Sequence, residues 1–261
     1  MNQAIVIVSF GTADPEAKAS CLDAVAADVT AAFPAYDVFE AWTSEFLRKK
    51  LARDDKEMNS LGQVLSKLKA SGYERVLIQP THLINGEEFN NKLVPEAAAY
   101  KECFSCLKLG NPVLAGTGPE SYEGLLETIF PLKELYDGEE LVMMGHGSPH
   151  QHSAVYEWLQ ECADRNGLPV HIGVVEKTDW PDRDMVLKRL KKKGVKRVYL
   201  CPLLLTCGEH ARHDMAGDGS DSWKNVIADQ GIIVRANTCG LGEKASFRAL
   251  YIRNLVKIEN S

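Results

Sequence analysis

Three features of the sequence predict an α/β fold of two similar lobes, each a parallel four-stranded sheet flanked by helices. Short apolar runs alternate with longer amphipathic stretches along the whole chain, the pattern of a parallel sheet whose strands are joined through helices. The segment "GYERVLIQPTHLINGE" (72–87) matches "GVKRVYLCPLLLTCGE" (194–209), in order, at Gly, Arg, Val, Pro, Leu, Gly and Glu. The opening "IVIVSFGT" (5–12) likewise resembles "LVMMGHGS" (141–148), which sets Phe10 opposite His146. Repeats this far apart in a chain of 261 residues indicate a duplicated domain, since solenoid units are much shorter. The expected division lies near Tyr136-Asp137-Gly138, between a lobe of residues 1–136 and a lobe of residues 137–261.

The elements follow in order. Ala4-Ile5-Val6-Ile7-Val8 opens the chain as a strand, because a run of apolar, largely β-branched residues suits a sheet buried on both faces. Further strands are expected at 37–42, 75–79 and 107–109 in the first lobe, then at 141–144, 170–175, 197–201 and 232–234 in the second. Helical periodicity marks 15–32, 61–70, 120–135, 154–165, 183–193 and 243–256. After Leu141-Val142-Met143-Met144, "GHGSPHQH" (145–152) reads as a strand end, a turn and a helix start with Pro149 in the first helical turn. His146 then sits at the strand tip, and His150 and His152 sit on the helix. "GLGEKA" (240–245) satisfies G-x-G-x-x-A, but no strand follows to present a ribose-binding acid. It reads as a tight β-to-α turn.

Composition narrows the function. With 45% hydrophobic and 25% charged residues the chain has an ordinary globular makeup. A net charge of −6 and a pI near 5.7 argue against a nucleic-acid partner, whose phosphates need a basic face. The basic run at 188–193 falls on a predicted surface helix and reads as a solvated face. No segment approaches the roughly 20 apolar residues that span a bilayer, and no basic stretch or cleavage site precedes the first strand, so no membrane partner and a cytoplasmic location are expected. Seven scattered cysteines fit reduced thiols, and the lone Cys103/Cys106 C-x-x-C pair, without a second pair, is weak as a zinc site.

Ligands of open parallel sheets bind beyond the carboxyl ends of the strands, where residues distant in sequence converge. Three candidates meet that condition: His146 after the 141–144 strand, Glu176 ending the 170–175 strand, and His210 after the 197–201 strand and its loop. Two imidazoles and a carboxylate suit a first-row divalent ion with coordination positions left open. His213 shares the helix start with His210, and Cys207 is a rival soft ligand. His150, His152 and His171 look peripheral, while His82 belongs to the first lobe and is a candidate for the opposite side of the same cleft. Where the second lobe has His146 and His210, the first has Phe10 and Glu88.

Together these residues resemble the class II tetrapyrrole chelatases, most closely the anaerobic cobalt chelatase (sirohydrochlorin cobaltochelatase) family. The resemblance rests on "VSFGT", "AWTS" (41–44), "INGEE" (84–88), "MGHG" (144–147), "VVE" (174–176), "GEHARHDMAGD" (208–218), "DSWK" (221–224) and "GLGE" (240–243). It implies a bilobal fold with pseudo-twofold symmetry, a cleft between the lobes, and metal held by His146, Glu176 and His210. The implied reaction is insertion of Co²⁺ into sirohydrochlorin in anaerobic cobalamin synthesis, with ferrous iron insertion for siroheme as the alternative and a non-catalytic metal or tetrapyrrole carrier as a rival of another class. Cobalt would be a substrate metal and not a permanent cofactor; sirohydrochlorin would be the other partner, and homo-oligomer formation stays open. Insertion needs groups that accept two pyrrole protons while holding the ion loosely. His146 is the candidate for metal contact and general base, because imidazole titrates near neutral pH. Glu88 is the candidate to accept a proton or to steer metal from the opposite wall, and Arg212, Lys177 and Lys92 are candidates for a positive rim facing the substrate's carboxylates.

Overall fold

The computed structural model describes residues 2–52, 58–148 and 152–261, with the side chains of Glu209 and His210 also outside the description. The chain divides into two compact units, residues 1–115 with 242–261, and residues 116–241. Each holds one four-stranded parallel sheet.

In the first unit β1 (Gln3–Ser9), β2 (Asp37–Trp42), β3 (Arg75–Pro80) and β4 (Cys106–Leu109) run in the order β2-β1-β3-β4. In the second, β5 (Glu139–Gly145), β6 (Val170–Val174), β7 (Arg197–Pro202) and β8 (Ile233–Ala236) repeat that order as β6-β5-β7-β8. The central strands are buried over nearly their whole length because helices cover both faces of each sheet, which is why they read as unbroken apolar runs. Strand order reverses between β5 and β7, so the loops after β5, β6 and β7 gather at one edge of the second sheet.

The helices carry recognisable stops and starts. Asp14 accepts the N–H groups of Glu16 and Ala17, and Pro15 takes the first helical position of a run comprising Pro15–Ala17, a π-turn at Lys18–Asp23 and Ala24–Ala32. Ser60 and Gln63 form a reciprocal capping box for Leu61–Ala70, whose Leu61, Val64, Leu65 and Leu68 face the first core. In the second unit Asp182 caps Arg183–Lys193, a contribution of about 1 kcal/mol, and that helix sends Val186 and Leu190 into a core with Val142, Met144, Val198 and Leu200.

Three expectations are corrected. The unit boundary does not fall at 136/137. Residues 116–135 belong to the second unit, where Glu120 meets Arg165 at 2.5 Å and Glu134 accepts Tyr199 Oη at 2.7 Å. The C-terminal helix, Ala245–Asn260, belongs to the first unit, where its face of Phe247, Leu250, Tyr251 and Leu255 is buried. Arg248 Nε donates there to Asp28 at 2.6 Å, and Tyr251 Oη to the Thr81 carbonyl at 2.9 Å. The closing segments of the two sequence halves are thus exchanged between the units. Secondly, 120–135 is not one helix but a short α-turn, Leu126–Ile129, between 3-10 turns at Pro119–Leu125 and Leu132–Glu134, because Pro131 cannot continue an α-helix. Thirdly, His152 precedes its helix, which begins at Val155 with Ala154 at the cap; Pro149 and His150 lie outside the described residues.

Candidate active site

The β5–β6 ladder continues past the strands and brings two expected site residues together. Gly145 pairs with Val174 at the end of the register. The N–H of Val175 then donates to the Gly145 carbonyl at 3.0 Å, and the N–H of Glu176 to the His146 carbonyl at 3.0 Å. His146 and Glu176 are therefore backbone-bonded neighbours on adjacent strand ends. His146 is exposed and Glu176 half-buried.

Glycine makes this approach feasible. Gly147 has φ +79°, and a β-carbon there would lie 2.9 Å from Val174 Cβ and 3.0 Å from Glu176 Cβ. Its N–H donates to Tyr156 Oη at 3.3 Å. Burial pushes that phenol up to about 12, so it stays protonated.

The His146 ring is oriented by its own loop. Nδ1 lies 3.1 Å from the Gly147 carbonyl, which can only accept, so Nδ1 carries a proton and Nε2 is the ring nitrogen left for a ligand. Metal-binding imidazoles commonly have the same arrangement, the second nitrogen donating to a backbone carbonyl.

The third expected residue enters from the loop after β7. Leu203 N–H donates to the Met144 carbonyl at 2.8 Å, which ties this loop to the end of β5. The loop leads through Gly208 into the helix Glu209–Ala216, where His210 stands in the first turn. Gly240 supports the loop from beneath: a β-carbon there would sit 2.4 Å from the Leu205 carbonyl oxygen, and Leu241 N–H donates to Leu204 O at 2.8 Å. Gly240 and Leu241 of "GLGE" are thus packed closely on the loop that leads to His210, and Leu241 opens a 3-10 turn, Leu241–Glu243.

In the first unit the equivalent loop after β3 carries His82 and Glu88. Both ring nitrogens of His82 and Oε2 of Glu88 are buried without a hydrogen-bond partner, while Glu88 Oε1 takes Lys92 Nζ at 2.5 Å. Burial drives the His82 imidazole down to about 4, against the opposing pull of the Glu88 carboxylate. Glu88 opens a π-turn, Glu88–Leu93.

Comparison with known proteins agrees with this architecture. Residues 3–260 match the family described as cobalt chelatase (CbiK). The sirohydrochlorin cobaltochelatase of Salmonella typhimurium is 35% identical over 257 residues, covering 98% of this chain and 96% of the relative. The chain belongs to the cobalt chelatase (CbiK) family. A sirohydrochlorin cobaltochelatase of Nitratidesulfovibrio vulgaris, CbiKC, is 31% identical over 97% of this chain and 89% of its own length. The fold is that of the sirohydrochlorin chelatase SirB of Bacillus subtilis subspecies spizizenii, solved in complex with cobalt, with a TM-score of 0.66 at 14% identity, covering 100% of this chain and 97% of that one.

Within this member of the cobalt chelatase family the remaining candidates separate by burial. Cys207 is 1% exposed and packs in the core of the second unit. His213 points into solvent, 3.9 Å from Asp214. His171 is a core histidine on β6: Nε2 pairs with Glu140 at 2.5 Å and Nδ1 accepts from Arg189 at 3.4 Å. Lys177 is exposed, and Lys92 is engaged by Glu88. Among the described residues no three of His, Cys, Asp and Glu form a metal cage; the expected set includes the His210 side chain, which lies outside them. No disulfide joins any of the seven cysteines, and no described helix is long and apolar enough to cross a membrane. Sequence reasoning missed Tyr156, Asp179 and Trp180, which brace the loops around His146 and Glu176. The one available signal was the aromatic and acidic character of "TDWPD" just beyond Glu176.

Proposed function

We propose that the protein inserts Co²⁺ into sirohydrochlorin, with the metal as substrate and no resident cofactor, and that His146, Glu176 and His210 hold the incoming ion. The observation that carries the proposal is the strand-end pair: His146 with Nδ1–H spent on a carbonyl and Nε2 free, beside Glu176. Two imidazoles and a carboxylate give a borderline donor set that binds a first-row divalent ion and leaves positions for the macrocycle nitrogens. The names of the two full-length relatives agree with this reading.

The reaction exchanges one divalent cation for two pyrrole N–H protons, so acceptors for two protons are required. Once the ion passes to the macrocycle, Nε2 of His146 recovers its lone pair and accepts one of them. Glu88, with a buried oxygen lacking a donor, is proposed as the second acceptor. The Glu176 carboxylate offsets cationic charge while the ion is bound. We also infer a reducing, cytoplasmic setting, a reading supported by seven scattered cysteines with no disulfide among them.

An absorbance time course with sirohydrochlorin and Co²⁺ tests the proposal. Many turnovers per protein support an enzyme, whereas a stop at one equivalent means a carrier. Parallel runs with Co²⁺ and Fe²⁺ at equal free concentration establish metal preference, because this donor set does not separate the two strongly. Faster Fe²⁺ insertion would make the protein a ferrochelatase for siroheme.

A further inference from the structure

In the second unit the loop after β5 and the loop after β6 meet at the carboxylate of Asp179, whose side chain has no solvent exposure. Its Oδ2 accepts the N–H of Ser148 at 2.9 Å. Its Oδ1 accepts from His152 Nδ1 at 2.7 Å and from the Trp180 N–H at 2.8 Å. The other ring nitrogen of His152 reaches Glu157 Oε2 at 2.8 Å, on the helix Val155–Arg165. Both partners are carboxylates, so each ring nitrogen of His152 faces an acceptor oxygen. The ring also lies flat on Trp180, with centroids 3.6 Å apart and planes within 8°.

The backbone of Asp179 extends the cluster to the site, its N–H donating to the Glu176 carbonyl at 3.2 Å. One buried anion thereby holds the chain just after His146, through Ser148, and just after Glu176. The apolar core of this unit and the β5–β6 ladder are built without it. What it governs is the path of both loops beyond the ladder, where His146 and Glu176 leave the sheet. A buried carboxylate is costly unless fully paired, and this one is paired only when both loops are in place.

We propose that Asp179 and His152 are positioning residues that hold His146 and Glu176 in the geometry that grips the divalent ion. This rests on the reading of those two residues as metal ligands. Outer-shell partners of metal ligands commonly change affinity by roughly 10- to 100-fold when removed. Glu157 is bonded to the outer nitrogen of His152, and among the described residues it meets neither Ser148 nor the Glu176 carbonyl, so it serves as the internal control.

The test titrates the full-length protein with Co²⁺ alone and follows the visible d–d bands, at a temperature where far-UV circular dichroism shows every variant folded. D179N converts one acceptor into a donor; H152F keeps the stack on Trp180 and removes both ring hydrogen bonds, providing a second variant should D179N fold poorly. Both are expected to weaken Co²⁺ binding roughly 10- to 100-fold and to raise KM for Co²⁺, with KM for sirohydrochlorin unchanged, while E157Q behaves as wild type. Co²⁺ affinity within twofold of wild type in the folded variants, or an equal loss in E157Q, overturns the proposal. If wild type gives no bands that H146A abolishes, the metal site itself is wrong and the proposal falls with it.

Discussion

Replacing Gly147 by alanine tests whether the close approach of two strand ends builds the site. The residue has φ +79°, and an L-residue in the left-handed region costs roughly 1–2 kcal/mol. The added β-carbon would also meet Val174 Cβ at 2.9 Å and Glu176 Cβ at 3.0 Å. Those atoms cannot swing aside, because the Val174 N–H is bonded to the Pro181 carbonyl at 2.8 Å and the Glu176 N–H to the His146 carbonyl at 3.0 Å. Overpacking of this kind adds about 1–3 kcal/mol. The total, about 2–5 kcal/mol, is a large part of the roughly 5–15 kcal/mol that holds a domain together, so the variant folds but is weakened. Gly138 separates the two contributions, since it has φ +73° in the same unit and no heavy atom within 4 Å of an added β-carbon. G138A is expected to lose only the conformational share. Urea unfolding followed by tryptophan fluorescence measures both variants, with Trp158, Trp180 and Trp223 reporting on this unit. Relief of the clash pushes Glu176 away from His146, and a displacement of about 1 Å can cost on the order of 100-fold in rate. Cobalt insertion by G147A should therefore fall at least about tenfold, against little change in G138A. Equal urea midpoints for the two variants, or an unaltered insertion rate in G147A, would refute the reasoning.

Other variants probe individual groups. H146A, truncating an exposed side chain, should abolish insertion without moving the unfolding midpoint; insertion at the wild-type rate would remove its role. E88Q keeps an oxygen for Lys92 but no longer accepts a proton, so insertion should slow by on the order of 100-fold, and an unchanged rate rules Glu88 out as acceptor. The His82 imidazole, at about 4 when folded and about 6.5 when unfolded, binds fewer protons in the native state between those values. Its contribution, on the order of 3 kcal/mol, is intact above pH 6.5, is lost as pH falls toward 4, and flattens below that. Urea midpoints from pH 7 to 4 should fall less steeply in H82L, and parallel curves for variant and wild type would show that the imidazole is not the group responsible.

The central strands β1 and β5 were legible because helices cover both faces of each sheet, so these strands are short apolar runs; the edge strands, such as Asp37–Trp42, mix apolar and charged residues and were legible from their place in the alternation. Capped helices such as Leu61–Ala70 and Arg183–Lys193 were legible for an equally local reason, their periodicity and end signals being written within a few residues. Segment 120–135 misled because its apolar spacing outlasts the helix that Pro131 permits. His146 and Glu176 could be proposed from the sequence because strand ends are identifiable and parallel strands deliver their ends to one edge.

The order of residues was thus sufficient for the alternation of strands and helices, the duplication, and the choice of strand-end imidazole and carboxylate as candidates. Tertiary structure alone decided which unit receives the segments at 116–135 and 245–260, which nitrogen of His146 is free, and that His152 and Asp179 brace the loops. The division has one physical cause. Periodicity and capping act within a helical turn or a strand pleat, whereas burial of a helix face, the tautomer of an imidazole and the pairing of a buried carboxylate depend on groups that only the folded chain brings within hydrogen-bond distance.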